Sequence, residues 1–318
     1  MNTSLRRKHK MSSCVSDKTE ILVIGSTVAD VIVNVDVLPA TAQDIHVKSQ
    51  TVSLGGCAYN VSAMIDLFGV PYTLFSPVGK GVYGDFVRKE LAKKGITSPV
   101  PVPDSENGCC YCFVEDSGER TFISYHGAEY LFEKEWFDVL NPDRFAYAYI
   151  CGLEIEDKTG DVIVDFLEKS KIKPVFAPGP RIDKIDSNLM KRIFALNPIV
   201  HLNEDEVNRY TGAADIESAS RVLFAMTGET VIVTAGENGS CYYDGKNFVR
   251  VAAVKPERIV DTIGAGDGHC GAVLACLAKG FSMKEALAKA NEAASRIVAV
   301  RGAVLNSKQQ NLPLSFPD

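Results

Sequence analysis

No apolar run in these 318 residues is long enough to span a bilayer. The basic, then polar opening over residues 1–20 lacks the apolar stretch that a secretion signal needs. It reads as a disordered leader before a folded unit at 21–318, with organelle targeting by its basic residues as the alternative. Positive charge is not in surplus: 34 Lys and Arg face 40 Asp and Glu, a net −6. That excludes a broad nucleic-acid-binding face but leaves room for a local pocket for one nucleotide. The nine cysteines are odd in number and lie mostly inside apolar stretches. They read as reduced thiols of a cytoplasmic protein rather than a disulfide framework. Cys109, Cys110 and Cys112 lie close together, but no second Cys or His pair stands nearby at zinc spacing. Internal repeats, low-complexity tracts and linker-like stretches are also absent. With 46% hydrophobic and 23% charged residues, the remainder is an ordinary globule.

Apolar strand-like runs alternate with helix-like periodic segments. Runs at 21–25, 72–78, 147–151, 174–177, 199–202 and 231–234 read as strands. Segments at 60–68, 83–94, 161–168, 189–194 and 218–226 read as amphipathic helices. This alternation predicts a three-layer α/β/α domain with a mostly parallel central sheet. Two stretches break the rhythm. Residues 28–52 hold strand-like pieces at 31–35 and 45–47 with no helix between, and 109–126 read as a hairpin around Asp116-Ser117-Gly118. Together they predict a small antiparallel β-sheet lid; an edge extension of the main sheet is the alternative.

Four motifs bear on chemistry. The first is Asp261-Thr262-Ile263-Gly264-Ala265-Gly266-Asp267, set between a strand-like segment ending at Val260 and an apolar run of helical length. Gly264, Ala265 and Gly266 then fall at a helix N-terminus, where unpaired N–H groups and the helix dipole attract an anion. Gly268 and Gly271 each cost a helix about 1 kcal/mol, so close packing or close ligand approach must justify them. A carboxylate at Asp267 suits a general base for a substrate hydroxyl; a helix N-terminal charge is the plainer role. Gly266-Asp267-Gly268-His269-Cys270-Gly271 fits G-x-G-x-x-G formally. It comes near the chain's end rather than after a first strand, which argues against a dinucleotide fold. No G-x-x-x-x-G-K-[ST] loop occurs. The second motif is Ser53-Leu54-Gly55-Gly56-Cys57-Ala58-Tyr59-Asn60, in which two glycines and Asn60 present polar groups at the start of a helix. The third, Asn203-Glu204-Asp205-Glu206, suits a hydrated Mg²⁺ at a strand end or, equally, a capped helix. The fourth is the turn Thr234-Ala235-Gly236-Glu237-Asn238-Gly239.

In this order and spacing, the motifs resemble those of the ribokinase-like (PfkB-type) carbohydrate kinases, from about residue 21 to 305. The resemblance implies an ATP-dependent kinase acting on a hydroxyl of a small sugar or sugar derivative. Asp267 would be the base, with the Gly264, Ala265 and Gly266 amides receiving phosphoryl charge. Asp30, Gly55, Gly56 and Asn60 would hold the sugar, with Arg181 beside it. Asn203, Thr234, Gly236, Gly239 and Asn291 would border the nucleotide. Glu206 would serve Mg²⁺ through water, and Asp261, with backbone near Val300 and Gly302, lies where some relatives bind K⁺. Gly81, Glu129, Ala177 and Gly179 depart from residues frequent in the family, on the expected substrate side. Two other readings stay open: a nucleoside kinase of adenosine or pseudouridine type, with Tyr111, Phe113, Phe122 and Tyr125 available to stack on a base, and a non-catalytic sugar- or nucleotide-binding regulator. Apolar residues on a lid too small to bury both faces predict a homodimer through the lid.

Overall fold

A computed structural model describes residues 19–305; the expected leader lies almost wholly outside the described residues. Eight strands form the main sheet. In chain order they are β1 (Glu20–Ile24), β4 (Tyr72–Phe75), β7 (Phe145–Cys151), β8 (Lys173–Ala177), β9 (Ile199–Asn203), β10 (Val231–Thr234), β11 (Ser240–Tyr243) and β12 (Phe248–Val251). Their spatial order is β12-β11-β10-β9-β8-β7-β1-β4. Every pairing from β4 to β10 is parallel, and only β11 makes antiparallel pairs.

Alternate residues of one strand feed two cores. Ile21 and Val23 pack with helices α1 (Cys57–Leu67), α8 (Ala265–Ala278) and α9 (Met283–Ile297). Leu22 and Ile24 pack on the opposite face with α4 (Gly160–Ser170), α5 (Ser187–Ala195) and α7 (Ile216–Thr227). All four are fully buried. Burial on both faces is why these strands read as unbroken apolar runs, each such side chain contributing about 1.5–3 kcal/mol.

The lid is a separate four-stranded sheet of order β3-β2-β5-β6, built from β2 (Val28–Asn34), β3 (Ser49–Gly55), β5 (Cys109–Val114) and β6 (Arg120–Tyr125). Both predicted segments contribute, but the sheet is not wholly antiparallel: two antiparallel pairs join through a parallel β2–β5 seam. Residues 45–47 are also not a strand; β3 starts at Ser49. Ala29, Val31 and Val33 on one lid face are buried, and β2 packs there on α2 (Gly81–Lys93). The other face carries Asp30, Cys110 and Ser124, in register across three strands, and Arg120 further along β6. The eight cysteines among the described residues are free, and none of the described helices is long and apolar enough to cross a membrane.

Residues 252–260 form no strand, contrary to the expected run into Val260. Pro256 has no N–H to give a ladder, and Lys255, Glu257 and Arg258 favour water.

Candidate functional site

Helix α8 starts with Gly264 in the left-handed region (φ 73°), and no side chain caps it. Helices α1, α2 and α4 likewise lack a side-chain cap, whereas α5, α6 (Glu204–Thr211), α7 and α9 have one. A Cβ placed on Gly266 would meet no atom within 4 Å, so there is room beside the first turn, although the Ala265 amide there donates to the Thr262 carbonyl at 3.3 Å. That room fits a phosphoryl group. Gly268 and Gly271 have a different purpose. A Cβ on Gly268 would lie 2.0 Å from Ile297 Cδ1, and one on Gly271 would lie 2.7 Å from the Val61 carbonyl. Close packing of α8 on α9 and α1 justifies both.

Asp267, in the first turn of α8, accepts a 2.9 Å hydrogen bond from Asn60 Nδ2 on α1. Burial pushes its pKa up to about 6, while bonds from Asn60 and the Cys57 thiol pull the other way. Asp30 is raised to about 7 by burial and then by the charge of Asp267. Its carboxylate stands over Gly55, where a Cβ would come within 1.9 Å of Oδ2. Gly55 thus makes room for Asp30. Gly56 (φ 95°) carries the chain past the Ser26 carbonyl into α1. Asn60 Oδ1 is buried without a partner, a ready acceptor for a hydroxyl.

Glu154 was not singled out in the sequence. Its Oε1 accepts the Ser26 amide at 2.8 Å, while Oε2 and Ser26 Oγ are buried without partners. Burial raises its pKa, and its charge in turn raises that of Asp267. The available signal was a carboxylate, the first of Glu154, Glu156 and Asp157, just after the apolar strand run ending at Cys151.

Where the resemblance places the nucleotide, Asn203 and Glu206 form a reciprocal capping box: Asn203 Oδ1 accepts the Glu206 amide at 2.8 Å, and Glu206 Oε2 accepts the Asn203 amide at 3.0 Å. The plainer role foreseen for this motif is therefore met, with Glu206 Oε1 left toward Gly179. Among the described residues no group of three or more His, Cys, Asp or Glu side chains is placed to hold a metal. A Mg²⁺ would fit as an ion held by phosphate and water, with Glu206 outside its shell. Thr234 ends β10, and Gly236 (φ 54°) and Gly239 (φ 86°) turn the chain into β11. Asn291 does not expose its amide. Nδ2 donates to the Val251 and Ala252 carbonyls, at 3.2 and 3.0 Å, and Oδ1 faces His269 Nε2 at 3.2 Å. His269 Nδ1 in turn meets His201 Nε2 at 2.9 Å. Oδ1 can only accept, so the donors run from His201 to His269 to Asn291. Burial holds both imidazoles neutral, with pKa values of about 4 for His201 and about 3 for His269.

Several substrate-side expectations take a structural form. Arg181 gives Nε and Nη2 to Glu156. Glu129 is fully buried and accepts the amides of Gly108, at 2.7 Å, and Gly127, at 3.0 Å, where the β5–β6 hairpin leaves the body. Gly81 and Gly179 have φ of 80° and 58°, which favours glycine at both; Ala177 ends β8. Of the four lid aromatics, Tyr111 bonds Tyr83 on α2 and Phe113 packs in the core on that same face. Tyr125, in register with Cys109, also shares that face. Phe122, in register with Cys112, shares the Asp30 face.

Asp261 is buried and engaged through both carboxylate oxygens. Oδ1 accepts from Arg120 Nη1 at 2.5 Å and the Ile263 amide at 2.8 Å; Oδ2 accepts the Gly302 amide at 3.0 Å. A protein cation already stands where K⁺ was expected, so these side-chain positions do not fit a bound K⁺ as they stand.

Known proteins match this arrangement. The model of the pfkB family carbohydrate kinases matches residues 18–310. An uncharacterized sugar kinase of Escherichia coli, YegV, is 33% identical over 301 residues, covering 93% of this chain and 94% of its own. A ribokinase structure from Giardia lamblia superposes with a TM-score of 0.81 at 22% identity, covering 92% of this chain and 98% of its own. The Arabidopsis thaliana ribokinase solved with ribose and ATP gives 0.76 at 20% identity, covering 94% and 100%. With its three-layer core, its lid and Asp267 at the uncapped start of α8, the chain belongs to the pfkB family of carbohydrate kinases.

Proposed function

We propose that this kinase transfers the γ-phosphoryl group of ATP to a hydroxyl of a small sugar or sugar derivative, with Asp267 as general base. The observation that carries the reading is the Asp267–Asn60 pair in the first turn of α8, beside the free space at Gly266. A pKa of about 6 leaves Asp267 mostly ionised at pH 7 yet basic enough to take a hydroxyl proton. The amides face where phosphoryl charge would develop, and phosphoryl transfer depends mainly on such positioning and electrostatics. Mg²⁺, when bound with the nucleotide, neutralises phosphate charge. Asp30 and Asn60 Oδ1 hold neighbouring hydroxyls, with Glu154 behind them and Arg181 reaching the site only through its remaining nitrogen. Thr234, Gly236 and Gly239 border the nucleotide, and Asn291 shapes that wall indirectly through His269.

A nucleoside substrate is the second reading, supported by Phe122 on the Asp30 face of the lid. A silent binding protein would have no use for a basic carboxylate beside an anion site. An ADP-release screen across pentoses, hexoses, ketoses and nucleosides tests all three. Turnover on a sugar supports the proposal, turnover on nucleosides alone favours the second reading, and binding without ADP release refutes both. Eight free cysteines fit a reducing cytoplasm, and an apolar lid surface fits pairing with a second copy.

A further inference from the structure

Arg120 lies on lid strand β6, opposite Val114, and on the face that carries Asp30. Its partner Asp261 is 141 positions away, at the start of the turn that delivers Gly264 to α8. Only 18% of the Arg120 side chain and 6% of Asp261 is exposed. A buried carboxylate must be paired or neutralised. Three N–H donors, from Arg120, Ile263 and Gly302, take up the two oxygens of Asp261. Asp261 is also anchored from behind, since its own amide and that of Val260 both donate to the Val298 carbonyl. The carboxylate thereby ties three pieces of chain, the lid, the loop after α9 and the turn before α8, and the backbone amides at 260–261 add the end of α9. A second contact on the same side, Arg301 Nη2 to Asn34 Oδ1 at 3.4 Å, joins lid and loop again.

We propose that Arg120 is the resident cation of this turn: its guanidinium neutralises Asp261, holds the Gly264–Gly266 amides in position, and removes the need for a monovalent cation from solution. It is a positioning residue, since it acts on the anion site through Asp261. Arginine suits the place, because its charge is permanent and it is more weakly hydrated than an ammonium. The kinetic part rests on the kinase reading; the salt dependence of stability does not.

The test uses the full chain with Arg120→Lys and Arg120→Gln, in KCl and in tetramethylammonium chloride at equal ionic strength. Thermal melting is measured in each, with ADP release on a substrate found by the screen. Wild type is expected to show the same Tm and kcat in both salts. Arg120→Gln is expected to lower kcat by roughly 10–10²-fold, the scale of a small misplacement at a reacting centre, with a smaller change in the sugar KM. Arg120→Lys, which keeps the charge, should retain most of kcat. A wild type that gains Tm or kcat in KCl overturns the proposal, as does an Arg120→Gln enzyme equal to Arg120→Lys. If Arg120→Gln does not fold, the wild-type salt comparison still decides. If no substrate is found the kinase reading fails, and the melting comparison stands alone.

Discussion

Asp267 and Asp30 share one problem: two carboxylates face one small cleft. Burial raises both, Asp267 to about 6 and Asp30 to about 7. The base must be ionised to work, so kcat/KM should fall as pH drops through about 6–7, in coupled steps that belong to the pair. Asp267→Asn keeps the shape and a hydrogen bond to Asn60. It should lower kcat by roughly 10²–10⁴-fold, the usual cost of losing a general base, with ATP affinity almost unchanged by calorimetry. Near-normal turnover would remove Asp267 from its role. The structure brings Asp267, Asn60 and Asp30 into one neighbourhood; Asp267 and Asn60 each sit in a motif with a backbone reason, a helix start or two glycines, whereas Asp30 came from the family resemblance alone. Glu154 and Arg120 have no such marker. Their partners lie 128 and 141 positions away, and no local pattern encodes that.

At the scale of elements, the main strands were legible because both faces are buried, so the apolar runs announce them. The lid was read less well. Its β3 strand, Ser49–Gly55, is mostly exposed and polar, so the β-branched Ile45 and Val47 flanking His46 drew attention instead. The parallel β2–β5 seam joins hairpins far apart in the chain, which strand-by-strand reading does not reveal. Two elements supply tests. Glu206→Gln preserves an acceptor for the Asn203 amide and hence the cap on α6, while removing the charge. It should raise the Mg²⁺ needed for half-maximal rate, with Tm nearly constant; an unchanged Mg²⁺ titration would reduce the motif to its cap. Glu129→Ala takes the acceptor from the buried amide of Gly108 and the half-buried amide of Gly127 at the base of the lid. Leaving buried donors unsatisfied costs about 1–3 kcal/mol each, so Tm should fall. The sugar KM should rise more than the ATP KM, because the lid, not the nucleotide wall, loses its anchor. Equal changes in both would argue for a general structural role.

Stability of the whole molecule carries the same carboxylates as a cost. Their folded pKa values exceed the ordinary carboxylate value, so between about pH 4 and 7 the native state binds more protons than the unfolded one. Their stabilising share is full below that window and is lost as pH rises through it. Asp30→Asn removes this burden and should be more stable than wild type at pH 8, by about 2–4 °C in Tm, but not at pH 4. A constant difference across that range would contradict the sign. The molecule also exposes Val47, Val52, Ile123 and Tyr125 on its lid, whose outer strands β3 and β6 each have one unpaired edge. Such edges and patches invite a partner, and light scattering at micromolar concentration should give twice the chain mass. A strictly monomeric mass would refute pairing.

The ion pair between Arg120 and Asp261 has a bearing on economy. Water is the ever-present competitor of any sugar hydroxyl, and opening of the lid would carry the guanidinium away. On the proposed reading, the amides that receive phosphoryl charge would then lose their brace while the site is open to solvent. Idle ATP hydrolysis should accordingly be slow in the absence of sugar, and the ratio of ADP formed without and with sugar should change when Arg120 is replaced by Gln.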